Sequence, residues 1–249
     1  MIKKYSLLFL FAFLCTQFIC ALSLEEISQQ NQTTVVTVNV LREDGSTSSA
    51  SGFVISPQGY IATAAHSLDK AKLINLTFSN GAISEEAEII AFPKNERVDL
   101  AILKVPVNYL PYVTFKNSNS VLAGQEIAVI GSPKRLQNTI TNGLISQLRD
   151  IGGVTIFQIS APISPSSSGS PVFNYDGQVI AIALSSLEEQ NVQNINFAIP
   201  SNYLLQMMND NKITPKIATG QEPNKVQKYV QDIIDYLKKC WRILKSKVA

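Results

Sequence analysis

Residues 51–66 read SGFVISPQGYIATAAH and end in the chain's single histidine, His66. Two short runs of apolar and β-branched residues, 52–55 and 60–64, flank the turn signal Pro57-Gln58-Gly59. The stretch therefore predicts two strands joined by a tight turn. Histidine is the side chain whose unperturbed pKa lies nearest neutral pH. If a serine of this chain acts as a nucleophile and needs a base to take its proton, His66 must be that base.

The rest of the chain repeats this pattern of short apolar runs separated by turn residues. Further runs lie at residues 35–40, 73–78, 99–105, 126–130, 172–175 and 178–183. Asp176-Gly177, between the last two runs, is a strong hairpin signal. No long helical segment separates the runs, which disfavours a parallel βαβ fold. The pattern predicts an all-β antiparallel sandwich or barrel.

Helical periodicity is confined to the C-terminal part of the chain. Ser201 is expected to cap a short helix through Leu204 and Leu205. Residues 215–223 have the composition of a linker. Beyond it, apolar residues recur every three or four positions and share one face of a predicted helix: Val226, Val230, Ile233, Leu237, Cys240 and Leu244.

Residues 1–23 have the composition of an export signal. Lysines at positions 3 and 4 precede an apolar run at residues 7–21, and the small residues Ala21 and Ser23 suit signal peptidase. We expect cleavage after one of these two. The alternative is an uncleaved membrane anchor, because the run is only slightly shorter than a spanning helix.

Cysteine content agrees with an exported protein that depends on its core. Cleavage would remove Cys15 and Cys20 and leave Cys240 alone, so the mature chain has no internal disulfide. That pattern fits a bacterial periplasmic or secreted protein.

The net charge of +2 is unevenly distributed, because basic residues crowd positions 225–247. The body at 22–222 is mildly acidic, which argues against nucleic-acid binding. Three interpretations of the basic tail stay open. It packs back onto the body, it lies on a membrane surface with the help of Trp241, or it mediates partner contact or self-association.

A histidine, an aspartate and a serine, the three side chains of a serine hydrolase triad, lie in separate segments. His66 follows a strand-like run, Asp99 opens the run at 99–105, and Ser168 lies in the loop SPSSSGSP at residues 164–171. In acyl transfer the histidine accepts the serine proton and returns it to the leaving amine, while a carboxylate holds the imidazole tautomer. Asp69 is the rival acid, but the apolar neighbours of Asp99 indicate a buried carboxylate that needs a partner.

Chain order separates this triad from that of another hydrolase class. The order His, Asp, Ser is that of the double-barrel serine proteases. The α/β-hydrolases run Ser, Asp or Glu, His, and their G-x-S-x-G motif is absent around Ser168.

Five segments, all in the expected order, make the chain similar to trypsin-fold serine proteases of the HtrA/Deg type. They are residues 51–61, 99–105, 128–133, 139–146 and 196–200. The resemblance covers residues 33–205 and implies two antiparallel β-barrels of the chymotrypsin/trypsin type. The periodicity adds the C-terminal amphipathic helix to this predicted all-β fold. Polypeptide substrate is expected to lie extended in the cleft between the barrels.

Composition, periodicity and the resemblance together predict four parts of the chain. Residues 1–23 are expected to be the signal peptide and 24–118 the first barrel, with His66 and Asp99. Residues 119–207 are the second barrel, with Ser168, and 208–249 are the linker and basic helix. HtrA-type proteases normally carry a PDZ domain next, but the stretch after Leu205 is too short for one, so we expect none.

The nucleophile loop departs from its family pattern. The family usually has Gly-Asn-Ser-Gly-Gly-Pro, where this chain has residues 166–171, SSSGSP. By resemblance, the backbone N–H groups of Ser166 and Ser168 form the oxyanion hole. Serine tolerates a positive φ less readily than glycine, so we expect this hole to form only when substrate binds.

We therefore predict an exported serine endopeptidase with His66, Asp99 and Ser168 as its triad. A pocket containing Ile163, Ala183 and Ser185 predicts a small aliphatic side chain before the scissile bond. No cofactor and no metal is expected, since one histidine with Cys240 cannot build a zinc site. The alternative is a binding or chaperone-like protein on a protease scaffold with weak or no catalysis.

Overall fold

The structure, a computed structural model, describes residues 21–132, 138–164, 166–184 and 196–218. Across these residues the chain is mostly β-structure. Two segments are α-helical: α1, Leu24–Asn31, and α2, Ser201–Asp210. The strands are β1 Val35–Arg42, β2 Thr47–Ser56, β3 Tyr60–Thr63, β4 Ala71–Phe78, β5 Ile83–Ser84, β6 Glu88–Ala91, β7 Ala101–Lys104, β8 Glu126–Gly131, β9 Thr139–Ile151, β10 Val154–Ile159, β11 Pro171–Phe173, β12 Val179–Leu184 and β13 Asn196–Pro200.

The first sheet has seven antiparallel strands in the order β5-β4-β1-β2-β3-β7-β6. Its strand β2 is buried on both faces from Ala50 onwards. Val54 points into the core of this sheet, whereas Phe53 and Ile55 join a second core cluster. A strand covered on both faces reads as a continuous apolar run, which is why residues 52–55 do not alternate with polar residues.

The second sheet closes into a barrel with the order β10-β13-β12-β11-β8-β9. Its interior is filled by buried apolar side chains, among them Ile127, Phe157, Val172 and Ile180. Closure leaves no strand edge to be covered. The first sheet has edge strands at β5 and β6, so the two halves of the fold differ in this respect.

A shared cluster joins the two sheets. Phe53 of the first sheet packs against Phe115, with ring centroids 6.4 Å apart and planes at 55°. Phe173 and Ile182 of the barrel belong to the same buried cluster. The predicted all-β antiparallel fold is confirmed, and the cluster joins the sheet that leads to His66 to the barrel that carries the loop of Ser168.

Helix α1 is an element that the strand-based prediction did not include. Ser23 and Glu26 form a reciprocal capping box at its start. The backbone N–H of Leu22 donates to the carbonyl of Tyr175 at 2.8 Å, and Ile27 is fully buried in the shared cluster. The helix therefore ties residues at the start of the described chain to the β11–β12 hairpin.

Helix α2 begins where the periodicity indicated, but Ser201 does not cap it. The N-cap residue is Pro200, and Ser201 is the first helical residue. The hydroxyl of Ser201 donates to the carbonyl of Lys116 at 3.1 Å instead. Ser201 thus fastens the helix to the connection between the two sheets.

Several predicted features lie outside the described residues. They are the apolar run of the export signal and the basic amphipathic helix beyond residue 218. In the part of the chain that the structure describes, no helix combines the length and the apolar character needed to cross a bilayer.

Candidate active site

His66 lies in a short 3-10 helix, Ala65–Leu68, that follows strand β3. The strand ends three residues before His66, earlier than the sequence run indicated. The imidazole is half exposed, with 50% of its side-chain surface accessible. A base on a short helical turn at the end of a buried strand has a fixed backbone and an accessible ring.

Asp99 lies two residues before strand β7 and pairs with His66 at two points. Its Oδ1 accepts a hydrogen bond from the backbone N–H of His66 at 2.8 Å. Its Oδ2 pairs with Nδ1 of the imidazole. The rival acid, Asp69, meets His66 through its backbone N–H, which donates to the carbonyl of His66 at 3.3 Å. Of the two aspartates, Asp99 supplies the carboxylate that holds the ring.

The pairing changes the proton affinity of His66. The hydrogen bond that the ring donates to Asp99, together with the negative charge of that carboxylate, raises the pKa of His66 above its ordinary value, while partial burial opposes the shift. A carboxylate on Nδ1 leaves Nε2 as the nitrogen that can accept a proton. This arrangement suits a general base.

Ser168 lies in the loop between β10 and β11 and is 2% exposed. Its carbonyl accepts a hydrogen bond from the backbone N–H of Ser51 at 3.0 Å. The next residue, Gly169, donates its N–H to the carbonyl of Ala183 at 2.8 Å. The loop is therefore held by one strand from each sheet.

Gly169 brings this loop against the segment that leads to His66. A Cβ atom on Gly169 would lie 2.2 Å from the carbonyl oxygen of Ser51 and 2.9 Å from the nitrogen of Ala64. Its φ of +88° also favours glycine. Only glycine permits this approach, so the loop with Ser168 meets the chain two residues before His66. In the structure, His66 therefore contacts Asp99 directly. Ser168 is brought near His66 because the backbone of Gly169 packs against Ser51 and Ala64.

Ser166 has the backbone conformation in which glycine is usual. Its φ is +73°, in the left-handed region. The sequence predicted that a serine would adopt this conformation less readily, yet contacts from the first sheet accompany it here. Its carbonyl accepts a hydrogen bond from the hydroxyl of Ser51 at 3.0 Å, and its hydroxyl lies 3.4 Å from that of Ser49. Formation of the oxyanion hole on substrate binding stays a prediction.

The predicted substrate pocket is described in part. Ala183 is fully buried on β12, and Ile163 packs against the cluster to which Ala183 belongs. The N–H of Ala183 donates to the carbonyl of Ser170 at 2.8 Å, so this strand runs beside the nucleophile loop. The third predicted pocket residue, Ser185, lies outside the described residues.

No pattern in the sequence indicated which residues support the nucleophile loop. Ser51 and Thr63 are fully buried, and the hydroxyl of Thr63 donates to the carbonyl of Ser51 at 2.7 Å. These two residues support the loop through contacts between residues that are far apart in the chain, and local sequence patterns do not reveal such contacts. Among the described residues, no three histidine, cysteine, aspartate or glutamate side chains gather as metal ligands.

The chain matches one family of known proteins and is similar to several individual relatives. The model of the trypsin-like peptidase domain matches residues 50–182. A probable periplasmic serine endoprotease DegP-like from Halomonas elongata is 34% identical over 174 residues, which are 66% of this chain and 36% of the relative. A protein of the same description from Pseudomonas savastanoi pv. phaseolicola is 32% identical over 195 residues, 74% of this chain and 40% of the relative.

Solved structures show the same fold. The HtrA-type protease AlgW with tripeptide superposes with a TM-score of 0.68 at 26% identity, covering 76% of this chain and 63% of that chain. The chain spans between 34% and 40% of the length of the bacterial DegP-like relatives that it matches.

Proposed function

The chain belongs to the family of trypsin-like peptidase domains, with HtrA- and DegP-like proteins among its relatives, and we propose that it is an exported serine endopeptidase. In this proposal it hydrolyses peptide bonds through an acyl-enzyme. Ser168 is the nucleophile, His66 the base and then the acid, and Asp99 the group that orients the imidazole.

Each step can be assigned to one of these groups. The hydroxyl oxygen of Ser168 attacks the carbonyl carbon while Nε2 of His66 takes the proton. The N–H groups of Ser166 and Ser168 hold the resulting oxyanion. Collapse breaks the C–N bond, and His66 gives its proton to the leaving amine. A water molecule then repeats the sequence on the acyl ester and restores Ser168.

The observation that carries the proposal is the contact between Asp99 and His66. A carboxylate that accepts from both the backbone N–H and Nδ1 of one histidine fixes the ring's position and tautomer together. The position of Gly169 against Ala64 supports the approach of the serine loop to this ring.

Extended polypeptide is the proposed substrate. The solved relative AlgW carries a tripeptide in one structure and a decapeptide in another. By the same fold, substrate of this chain lies between the two sheets as an added strand. The small and apolar surroundings formed by Ile163 and Ala183 favour a small aliphatic side chain before the scissile bond.

Export is proposed from the N-terminal composition and from relatives named as periplasmic endoproteases. Of the two cleavage positions, the contacts of the fold favour Ala21. Cleavage after Ser23 would remove the capping box of α1 and the hydrogen bond of Leu22 to Tyr175. Cleavage after Ala21 keeps both, so the exported protein is expected to begin at Leu22.

The test is a cleavage-product profile on a denatured protein mixture, with Ser168→Ala as the matched inactive variant. New termini that appear with the native chain and vanish with the variant support the endopeptidase. Equal profiles from both folded proteins would favour the alternative of a binding or chaperone-like protein. The residue that precedes the new amino termini reports the side-chain preference.

A further inference from the structure

Ser51 of strand β2 holds the nucleophile loop at two points. Its hydroxyl donates to the carbonyl of Ser166 at 3.0 Å, and its backbone N–H donates to the carbonyl of Ser168 at 3.0 Å. The same hydroxyl accepts from the backbone N–H of Ser132 at 2.9 Å. Ser51 is fully buried, so these hydrogen bonds do not compete with bulk water.

These contacts fix the orientation of one peptide group. The carbonyl of Ser166 is held by Ser51, and the N–H of the same peptide, from Ser167, donates to the carbonyl of Ser164 at 2.9 Å. With both of its polar atoms held, this peptide cannot rotate freely. The φ of Ser166, +73°, then sets the direction of the N–H of Ser166 itself, which is the proposed oxyanion donor.

This chain needs such a restraint more than a chain with glycine would. A residue with a Cβ is disfavoured in the left-handed region, and a glycine is not. Unrestrained, Ser166 would favour a negative φ, which turns its N–H away from the direction seen here. The serine at this position therefore makes the loop dependent on a contact from the other sheet.

We propose that the hydroxyl of Ser51 is a positioning group that keeps Ser166 in the left-handed conformation required for oxyanion stabilisation. The inference rests on the proposed function. Ser51 does not touch substrate in this account, since it acts through the carbonyl of Ser166. In this proposal the restraint belongs to the fold, which makes it an alternative to the expectation of a hole formed only when substrate binds.

A second hydroxyl network anchors Ser51 itself. The N–H that donates to Ser51 belongs to Ser132, which follows strand β8, and the hydroxyl of Ser132 bonds that of Thr37 on β1. Thr37 pairs with Ser51 across β1 and β2. The support therefore closes a ring between the first sheet and the barrel, which limits movement of the Ser51 side chain.

The experiment is a double-mutant cycle between Ser51→Ala and Ser166→Gly, read as kcat and KM on a peptide substrate. In the native background, Ser51→Ala is expected to lower kcat by about 10–100-fold, with KM changed less than about threefold. This loss is smaller than the decrease of about 10²–10³ in kcat that follows removal of an oxyanion donor. In the Ser166→Gly background, the same substitution is expected to lower kcat by less than about threefold, because glycine needs no restraint.

Ser118→Ala is the matched control for the loss of a buried serine hydrogen bond. Ser118 is 3% exposed, and its hydroxyl accepts from the N–H of Asn202 at 3.1 Å, far along the chain from the site. We expect it to lower the free energy of unfolding while kcat stays unchanged. Should Ser51→Ala fail to fold, Ser51→Cys takes its place in the cycle, since it keeps the shape of the side chain with a somewhat larger atom and a weaker donor.

An equal loss of kcat in both backgrounds would overturn the proposal, because Ser51 would then act independently of Ser166. Unchanged kcat for a folded Ser51 variant would overturn it too. Reaction of the native chain with a fluorophosphonate separates the two claims. A native chain that does not react refutes the proposed function, whereas a reactive native chain with an uncoupled cycle refutes only the role of Ser51.

Discussion

Asp99 accepts two hydrogen bonds from His66, one from the backbone N–H at 2.8 Å and one from Nδ1 of the ring. The two contacts tie the imidazole to the backbone that carries it, so ring rotation breaks one of the bonds. Strand β7, which follows Asp99, places this carboxylate beside the short helix of His66. The proposed roles of His66 as base and acid depend on this pairing.

The pH dependence of activity should report the contact between His66 and Asp99. The neutral imidazole is the active base, and Asp99 raises the pKa of His66 above 6.5. Activity is therefore expected to fall as the pH drops through a value above 6.5, and to be full at higher pH. A profile of kcat/KM against pH measures this. An acidic limb centred below 6.5 would contradict a carboxylate-stabilised imidazolium.

Replacing the orienting carboxylate should affect rate far more than stability. Asp99→Asn keeps the shape but removes the charge, and by comparison with triads of this type it should lower kcat by about 10³–10⁴-fold. The acidic limb of the pH profile should move to lower pH as well. Asp69→Asn is the control, with kcat expected within a few fold of the native value. Equal losses from both substitutions would reverse the assignment of the acid.

Gly169 should tolerate no side chain. Gly169→Ala would place a Cβ 2.2 Å from the carbonyl oxygen of Ser51, and we expect a loss of about 3 kcal/mol or more in the free energy of unfolding, with loss of activity. Gly124→Ala is the matched control, since its φ of +87° is nearly the same but nothing lies within 4 Å. It should cost about 1–2 kcal/mol. Urea unfolding compares the two, and similar costs would refute the close contact.

Ser170 is expected to be a site where a substitution stabilises the protein. In the described part of the chain its hydroxyl is fully buried without a hydrogen-bond partner, facing Gly131. Because a buried, unsatisfied hydroxyl costs free energy, Ser170→Ala should raise the free energy of unfolding by about 1 kcal/mol. Chemical denaturation tests this, with Ser118→Ala expected to change stability in the opposite direction. A loss of stability in Ser170→Ala would show that the hydroxyl is satisfied.

Local patterns predicted the strands and the residues of the site for a physical reason. Pro57-Gln58-Gly59 and Asp176-Gly177 are turns set by nearest neighbours, so they are visible in the chain itself. Asp99 stood out because an acidic residue at the start of a buried run needs a partner. The partner, His66, followed from being the only histidine.

Features that depend on distant contacts were not predictable in the same way. Strand preference at residues 52–55 does not reveal that Ser51 bonds Ser166, 115 positions along the chain. The positive φ of Ser166 runs against the preference of a serine, and the contact that we propose to hold it comes from the other sheet. The capping box of Ser23 and Glu26 was readable in the sequence, but the export signal beside it masked the start of the helix.

Labelling by a fluorophosphonate probe, mapped by peptide mass spectrometry, tests whether His66 and Asp99 make the hydroxyl of Ser168 nucleophilic. We predict one adduct, on Ser168, that forms in the folded native chain, forms far more slowly in Asp99→Asn, and is absent in Ser168→Ala. A folded native chain that gains no adduct at mildly alkaline pH, or gains it on another serine, would show that Ser168 is not the activated nucleophile.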